Sequence, residues 1–421
     1  MAVAFTCLAI GYAVWHSFSI FYVAILGEFG WTRASTALAF SVFTVMYGLT
    51  SPLSGALVDR FGARVVIPVG AAVMAAGLFA SSTVTEPWHL YVYYGICTAV
   101  GLNLIGTIVN FTVLANWFSR RRGTATGIAA SGIGVGMLLL VPALQAIINT
   151  AGWRSAYIAV GGLVLVVVPT VAFVFHRQRP EDMGLLPDGG TAGLKKTAAA
   201  RPPQLRVVDE RWAAKSWNIR SALSTRRFWL LFGGYMCGTL SHQSVMVHQV
   251  AYLTDRQFDP MLGATVVGLV GIFGSVGKIF WGWLSDRIGR EGAYALGMGS
   301  LVLGIFVLST VADSSQLWAV YLYAVVFGIG YGVFAPLTSS IAADVFQGRR
   351  FGSIYGVLYV GNGAGSAIGP WVSGALFDAT HSYVVALAMA TGAAVVSALA
   401  VWLAAPRKVR QVPGVVARAH G

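Results

Sequence analysis

Apolar residues fall in long runs broken by short polar segments, and the runs have the length of membrane spans. A transmembrane helix needs about 20 mostly apolar residues. Twelve runs qualify, at roughly 3–26, 34–57, 65–84, 88–114, 124–148, 155–176, 228–252, 262–284, 292–311, 316–342, 352–376 and 382–404. No alternation of the β-barrel kind is visible, so the predicted elements are helices. The first run exceeds a signal-peptide core, lacks a small-residue cleavage site and reads as a span. One long polar stretch, 177–227, carries Pro180, Pro187, Pro202 and Pro203 with many Lys and Arg. It reads as a linker with little core of its own. The predicted organisation is an all-α membrane protein: a six-helix bundle over 1–176, a cytoplasmic linker over 177–227, a second six-helix bundle over 228–404 and a cytoplasmic tail over 405–421.

Composition agrees. Of 421 residues 57% are hydrophobic and 10% charged, and mean hydropathy is +0.72. Soluble domains carry about 25% charged residues, so a soluble enzyme and a nucleic-acid-binding protein are both excluded despite the net charge of +13. With both termini in the cytoplasm, 24 of the 28 Lys and Arg fall on that side. Only Arg33, Arg154 and Arg256 fall outside, which fixes the orientation by the positive-inside bias. Cys7, Cys97 and Cys237 sit in apolar runs and read as packing residues, with no disulfide or metal site. No His-Glu-x-x-His, Gly-x-Ser-x-Gly or Walker motif occurs, so no enzyme, cofactor or ATP-driven pump is expected.

The two halves repeat. Gly55-Ala-Leu-Val-Asp59-Arg60-Phe-Gly62-Ala-Arg64 follows the second span, and Gly282-Trp-Leu-Ser-Asp286-Arg287-Ile-Gly289-Arg290 follows the eighth. Asp59 and Asp286 are 227 residues apart; Gly127, Gly132 and Gly136 match Gly356, Gly361 and Gly365 at offset 229. Each glycine row follows a basic cluster, Arg120 to Arg122 or Arg349–Arg350. A duplicated six-helix unit is a transporter architecture, with the site expected at mid-depth between the halves.

The Gly55–Arg64 loop resembles the signature of the major facilitator superfamily, and that resemblance implies alternating access by rocking of two halves. Asp59, Arg60 and Arg64, with Asp286, Arg287 and Arg290 in the second copy, have two readings: a latch that breaks and re-forms in the cycle, or charges that only set topology. The resemblance favours the latch. The stretch from Trp117-Phe118 through Arg120–Arg122 to Gly132 is similar to the monocarboxylate porter signature. The stretches His248–Leu253 and Gly277–Gly282 are similar to bacterial members of that group, including oxalate/formate exchanger relatives. The acidic-Gly-x-Trp motif that this group carries before the first span does not occur.

One cation is left inside a span. Lys278 lies eight residues before Asp286, about 12 Å in from the helix end. Burying a lysine at the helix centre costs about 2.5–3.5 kcal/mol on insertion scales. No Asp or Glu lies deep in any span; Glu28, Asp344 and Asp378 are near span ends. The missing partner is then an anionic substrate; the competing reading is that Lys278 snorkels to the interface. The porter resemblance implies that a cation here, usually Arg, binds the substrate carboxylate; a lysine keeps the charge without the bidentate fork. The animal porters carry Asp one turn earlier, where Gly274 stands, and a lysine in the first span, which is absent. Their proton relay therefore does not transfer.

Histidines are the other titratable groups. His16 is central in the first span, His242 central in the seventh, and His248 lies further along. Each is either a proton carrier or a neutral residue hydrogen-bonded between helices; His16 and His248, with Lys278, are the coupling candidates. Depth nominates lining residues: Tyr331 and Phe334 in the tenth span, Tyr355, Tyr359 and Asn362 in the eleventh, Asn103 and Asn110 in the fourth. Of these, Tyr331, Phe334, Tyr359, Asn362 and Asn110 join Lys278 and His248 as the substrate-binding set. The oxalate exchanger resemblance implies a lysine midway along the eleventh span; Asn362 stands there. The row Gly361, Gly365, Gly369 before Pro370 reads as close packing and a kink.

The expected function is secondary active transport of a lactate- or pyruvate-like monocarboxylate, coupled to protons, by a monomer in the bacterial inner membrane. The alternatives are an organic-anion exchanger of the oxalate/formate type and, from another class, a sensor that binds an organic anion without moving it.

Overall fold

A computed structural model describes residues 1–118, 122–175, 206–348 and 351–411. Arg120, Arg121, Arg349, Arg350, Arg418 and linker residues 177–205 lie outside the described residues. The chain divides into two units, Met1–Ala200 with Asp259–Gly271, and Arg201–Phe258 with Ile272–Gly421.

In the first unit α1 (Ala2–Phe29) ends on Gly30 in the left-handed conformation. Thr32 caps α2 (Arg33–Phe61) by accepting the Ser35 amide at 3.2 Å, and α3 (Ala63–Ser81) follows. The fourth expected span is a chain of pieces: α4 (Pro87–Leu90), a π-helical stretch Tyr91–Thr98, α5 (Ala99–Ile105) and α6 (Thr107–Trp117). Its break at Gly106 is sealed by Asn110, whose Nδ2 donates to the Ile105 and Gly106 carbonyls at 2.7 and 3.0 Å. Inside a membrane a freed carbonyl needs such an internal donor. The long α7 (Arg122–Phe175) turns at Gly152, φ 81°, and so contains two expected spans.

The second unit opens with β1 (Arg206–Val207), α8 (Glu210–Ala214) and α9 (Ile219–Leu223). Then come α10 (Arg226–Thr254), α11 (Pro260–Ile288, whose start belongs to the first unit), α12 (Arg290–Thr310), α13 (Leu317–Tyr331) and α14 (Phe334–Val345). The unit closes with α15 (Phe351–Thr380), α16 (Val384–Ala404) and β2 (Arg410–Gln411).

The described end of the expected linker is built onto this unit. Strand β1 pairs antiparallel with β2, Arg206 opposite Gln411 and Val207 opposite Arg410. Trp212 donates to the Val345 carbonyl at 2.7 Å, and Trp217 packs on Phe346 at 5.1 Å between ring centroids. Two tryptophans give this polar stretch an apolar face that its proline and charge content conceals.

Among the described residues, nine helical stretches are long and apolar enough to cross a membrane. One of them contains the Gly152 turn. Helices α10 and α15 match the others in length; α10 carries buried Ser241, His242, Gln243, His248 and Gln249, and α15 is rich in glycine.

The sequence repeat is realised as a repeated contact. A side chain at Gly132 or Gly136 of α7 would run into the carbonyl oxygen of Phe5 or Ala9 on α1. One at Gly361 or Gly365 of α15 would run into that of Phe232 or Met236 on α10. Phe5 and Phe232, like Ala9 and Met236, are 227 residues apart. The small-residue rows thus let helix backbones touch in each unit, the association mode that works where lipid removes any hydrophobic drive between helices. Gly62 and Gly289, also 227 apart, have φ of 77° and 103° at the turns after Asp59 and Asp286, a conformation open to glycine.

Candidate functional site

Lys278 sits on α11 where that helix crosses the end of α13. Helix α13 stops at Tyr331, and α14 begins at Phe334 after a break at Gly332–Val333. Three glycines make the crossing close. A side chain at Gly277 would strike the Ile329 carbonyl, and one at Gly332 would meet the backbone of Gly277 and Lys278 at 2.6 Å. Gly274 leaves room for the Tyr331 ring, whose Cδ1 lies 2.6 Å from where a Cβ would be. The ring thus occupies the space a carboxylate one turn before Lys278 would need.

The ammonium of Lys278 lies 5.6 Å from the centroid of that ring. Lys278 is half-buried, and among the described residues no Asp or Glu pairs with it. An aromatic face attracts a cation by about 0.5–2 kcal/mol. It orients the charge without cancelling it.

Two more rings complete the group. His242 of α10 lies 5.2 Å from Tyr331 and 4.8 Å from Phe334, centroid to centroid. Phe334 reaches the open flank of Gly238, one turn before His242, and meets Tyr294 edge-on at 6.2 Å. Tyr294 is itself fixed: its hydroxyl shares a 2.8 Å hydrogen bond with Ser397, which donates to the Gly234 carbonyl at 2.7 Å. Lys278, Tyr331 and Phe334, expected from the sequence, are therefore brought together, with His242 added.

The remaining candidates lie elsewhere. His248 is buried between α10, α15 and α16; Nε2 is 2.8 Å from the Pro370 carbonyl and Nδ1 3.0 Å from the Tyr383 hydroxyl. A carbonyl only accepts, so Nε2 carries the proton and, in the neutral ring, Nδ1 accepts from Tyr383. With Ser244, Gln249 and Ser373 it lines a cavity of about 10 Å³, room for one water at most. Tyr359 is half exposed and packs on Tyr355 at 5.9 Å. Asn362 is half-buried, and its backbone carbonyl accepts from Thr239 and Ser366 at 2.8 and 3.0 Å. In the first unit the Asn110 amide nitrogen is committed to the break in its own helix, while its buried Oδ1 has no hydrogen-bond partner among the described residues, and His16 is buried beside Trp15.

The two charged turns differ. Asp59, Arg60 and Arg64 are all exposed; Arg64 donates to the Phe173 carbonyl at 3.3 Å, and Arg60 lies 5.1 Å over Phe61. In the second unit Arg290 bridges Asp286 at 2.8 Å and Asp344 at 3.3 Å, and donates to Ser285 at 2.6 Å. Arg410 donates to the Asp344 carbonyl, and Arg407 pairs with Glu291 at 2.9 Å. Arg287 lies over Trp283 at 4.0 Å.

Interrupted helices, backbone-close packing and one cation held within the apolar part of a bundle define a membrane transporter. The profile of the Major Facilitator Superfamily matches residues 3–326 and 275–420; the chain belongs to that family of transporters and is not an enzyme. It is 26% identical over 388 residues to Monocarboxylate transporter 13 of Rattus norvegicus, covering 92% of this chain and 84% of that one. It is 26% identical over 405 residues to the Oxalate:formate antiporter of Oxalobacter formigenes, covering 93% and 89%. In fold it is similar to the solved nucleoside transporter NupG, with a TM-score of 0.74 at 14% identity, covering 96% of this chain and 99% of that one.

Proposed function

We propose that this transporter carries small monocarboxylates of the lactate or pyruvate kind, coupled to protons, across the bacterial inner membrane with both termini in the cytoplasm. The observation that carries the reading is Lys278, a half-buried cation on an aromatic ring with no carboxylate partner among the described residues. A monoanion supplies the one missing charge, and Tyr331 and Phe334 suit its short apolar body. The names of the relatives, a monocarboxylate transporter and an oxalate:formate antiporter, point to the same substrate chemistry. A dianion needs a second cation to offset its desolvation; α15 offers Asn362 in a run 351–376 free of Lys and Arg. That favours monoanions over oxalate. The Asp59 and Asp286 turns are the proposed latch, and the functional unit is the monomer.

Counterflow in proteoliposomes with labelled carboxylates tests the reading. Lactate or pyruvate should exchange, and oxalate should compete weakly. Lys278→Gln should abolish uptake in a folded protein, while Lys278→Arg keeps part of it. Net uptake should rise with an inward proton gradient and collapse with a protonophore, and His248→Gln should weaken this response more than His16→Gln. Normal uptake by Lys278→Gln sinks the assignment of the site; strong inhibition by oxalate sinks the preference for monoanions; indifference to the proton gradient leaves an exchanger or a uniporter.

A further inference from the structure

We propose that His242 is the second recognition group of the Lys278 site and hydrogen-bonds the oxygen on the carbon next to the carboxylate of a 2-hydroxy or 2-oxo acid. The inference rests on the reading that Lys278 binds a carboxylate, and it adds what distinguishes one monocarboxylate from another.

Three observations carry it. The first is position. Lys278 and His242 both lie against one ring, Tyr331, at 5.6 and 5.2 Å from its centroid. The ammonium and the imidazole are therefore no farther apart than the sum of those two distances. Two hydrogen bonds of about 2.8 Å, with the similar spacing between a carboxylate oxygen and the neighbouring 2-oxygen, span about 8 Å. A three-carbon acid touches both groups when they stand about that far apart, a separation that lies within the bound set by the shared ring.

The second is unspent polarity. His242 is 7% exposed, and its Nδ1 has no hydrogen-bond partner; the ring lies near the Gly238 carbonyl of its own helix without a bond of ordinary geometry. Buried polar groups in folded proteins are normally paired, and one left without a partner carries a desolvation penalty. His248, six residues on in the same helix, has both ring nitrogens bonded. A packing role for His242 would be met better by an apolar ring of similar size.

The third is the repeat. At offset 227, the spacing that relates Phe5 to Phe232 and Ala9 to Met236, His242 corresponds to Trp15. Trp15 packs as an aromatic ring, edge-on to Phe43 at 4.9 Å and to Tyr47 at 5.2 Å. The second half keeps a flat ring at this place, between Tyr331 and Phe334, and exchanges indole for imidazole. That exchange adds a hydrogen-bonding ring nitrogen, able to donate or accept, where Lys278 supplies the charge.

The test compares lactate, pyruvate and propionate, three acids of one chain length of which only propionate lacks a 2-oxygen. The full chain is reconstituted, and the concentration of each acid giving half-maximal counterflow is measured. The wild type should favour lactate or pyruvate over propionate by about tenfold, the worth of one hydrogen bond of about 1.4 kcal/mol. His242→Phe should bring that ratio close to one with propionate unchanged, and His242→Gln should restore part of it. Lys278→Gln should weaken all three acids together. If His242→Phe loses all three in parallel while His242→Gln, folded by its thermal unfolding curve, keeps the full ratio or loses all three, the proposal is overturned. An unchanged ratio in His242→Phe overturns it as well. Failure of the wild type to exchange any of the three overturns the monocarboxylate reading and this inference with it, an outcome separable from a loss confined to the His242 variants.

Discussion

The crossing of α2 and α5 in the first unit and the crossing of α11 and α13 in the second occupy matching places, and they are filled in opposite ways. Gly101 and Gly330, 229 residues apart, each press on a backbone, at Met74 of α3 and Leu301 of α12. In that register Asn103 corresponds to Gly332, and at offset 227 Ser51 corresponds to Lys278. Asn103 donates to the Tyr47 carbonyl and to the hydroxyls of Thr50 and Ser51 at 3.1 and 3.0 Å, and accepts from Ser54 at 2.6 Å. Every polar group there is answered from within. Gly332 offers nothing, and Lys278 is left facing a ring. The repeat supplies a scaffold twice, and the place where the copies diverge is where the second half holds charge in reserve.

The largest effects should come from what the halves share. Gly136→Leu and Gly365→Leu each push a side chain into a backbone carbonyl and should cost more than about 3 kcal/mol; no monodisperse protein should survive gel filtration in detergent. Gly127 and Gly356 have open space around them, so alanine at either should leave the melting temperature unchanged. Loss in one half and tolerance in the other would break the equivalence of the two contacts.

The next pair separates scaffold from site. Asn103→Ala removes four side-chain hydrogen bonds, although Thr50, Ser51 and Ser54 keep their bonds to carbonyls one turn back, and should cost about 1–3 kcal/mol of stability with substrate affinity intact. Lys278→Gln removes a charge-assisted hydrogen bond, about 1.5–3 kcal/mol, and should weaken carboxylate binding by at least about 10- to 100-fold, enough to abolish uptake, with little change in melting temperature. Thermal unfolding and binding measured on the same preparations check both; parallel loss in both variants would erase the distinction. Gly274→Ala is a finer probe. Its methyl pushes Tyr331 from beneath Lys278 and should reduce affinity by several-fold, about 1 kcal/mol.

The smallest contrast is on the charged turn. Arg290 bridges two carboxylates and Arg287 lies on an exposed tryptophan. Arg290→Gln should cost about 1–2 kcal/mol, and Arg287→Gln less than about 0.5. Equal melting temperatures for the two variants would remove Arg290 as the tie of the second turn.

The fold was legible because membrane spans and a 227-residue repeat are written in local composition. Lys278 was legible for the same reason, as a charge in an apolar run. Its partner was only half so. Depth alone nominates Tyr331, but that its ring fills the space beside Gly274 depends on two helices more than fifty residues apart in sequence. Asn110 and His248 are legible as residue types but not in their partners: the structure ties the Asn110 amide nitrogen to the carbonyls at the Gly106 break and His248 to Pro370 and Tyr383. Neither partner is predictable without knowing where helices break and cross. His242 had a signal in the sequence, its correspondence to an aromatic position of the first half, which becomes readable only once the glycine contacts set the register.

The pairing of β1 with β2 has a consequence for how the chain is connected. Residues 206 and 411 sit on one rung of the β1–β2 pair, so the segments that flank the helices of the second half are tied to each other, like a belt brought to its buckle. Joining the ends of a segment grows harder with its length only slowly, and here the fold has already brought them together. A chain cut between α12 and α13, at the exposed turn of residues 312–316, and rejoined from 411 to 206 through a few glycines and serines would keep every helix contact of that half. Circular permutation, tolerated where termini meet at a surface, is thus open to one half of a membrane transporter.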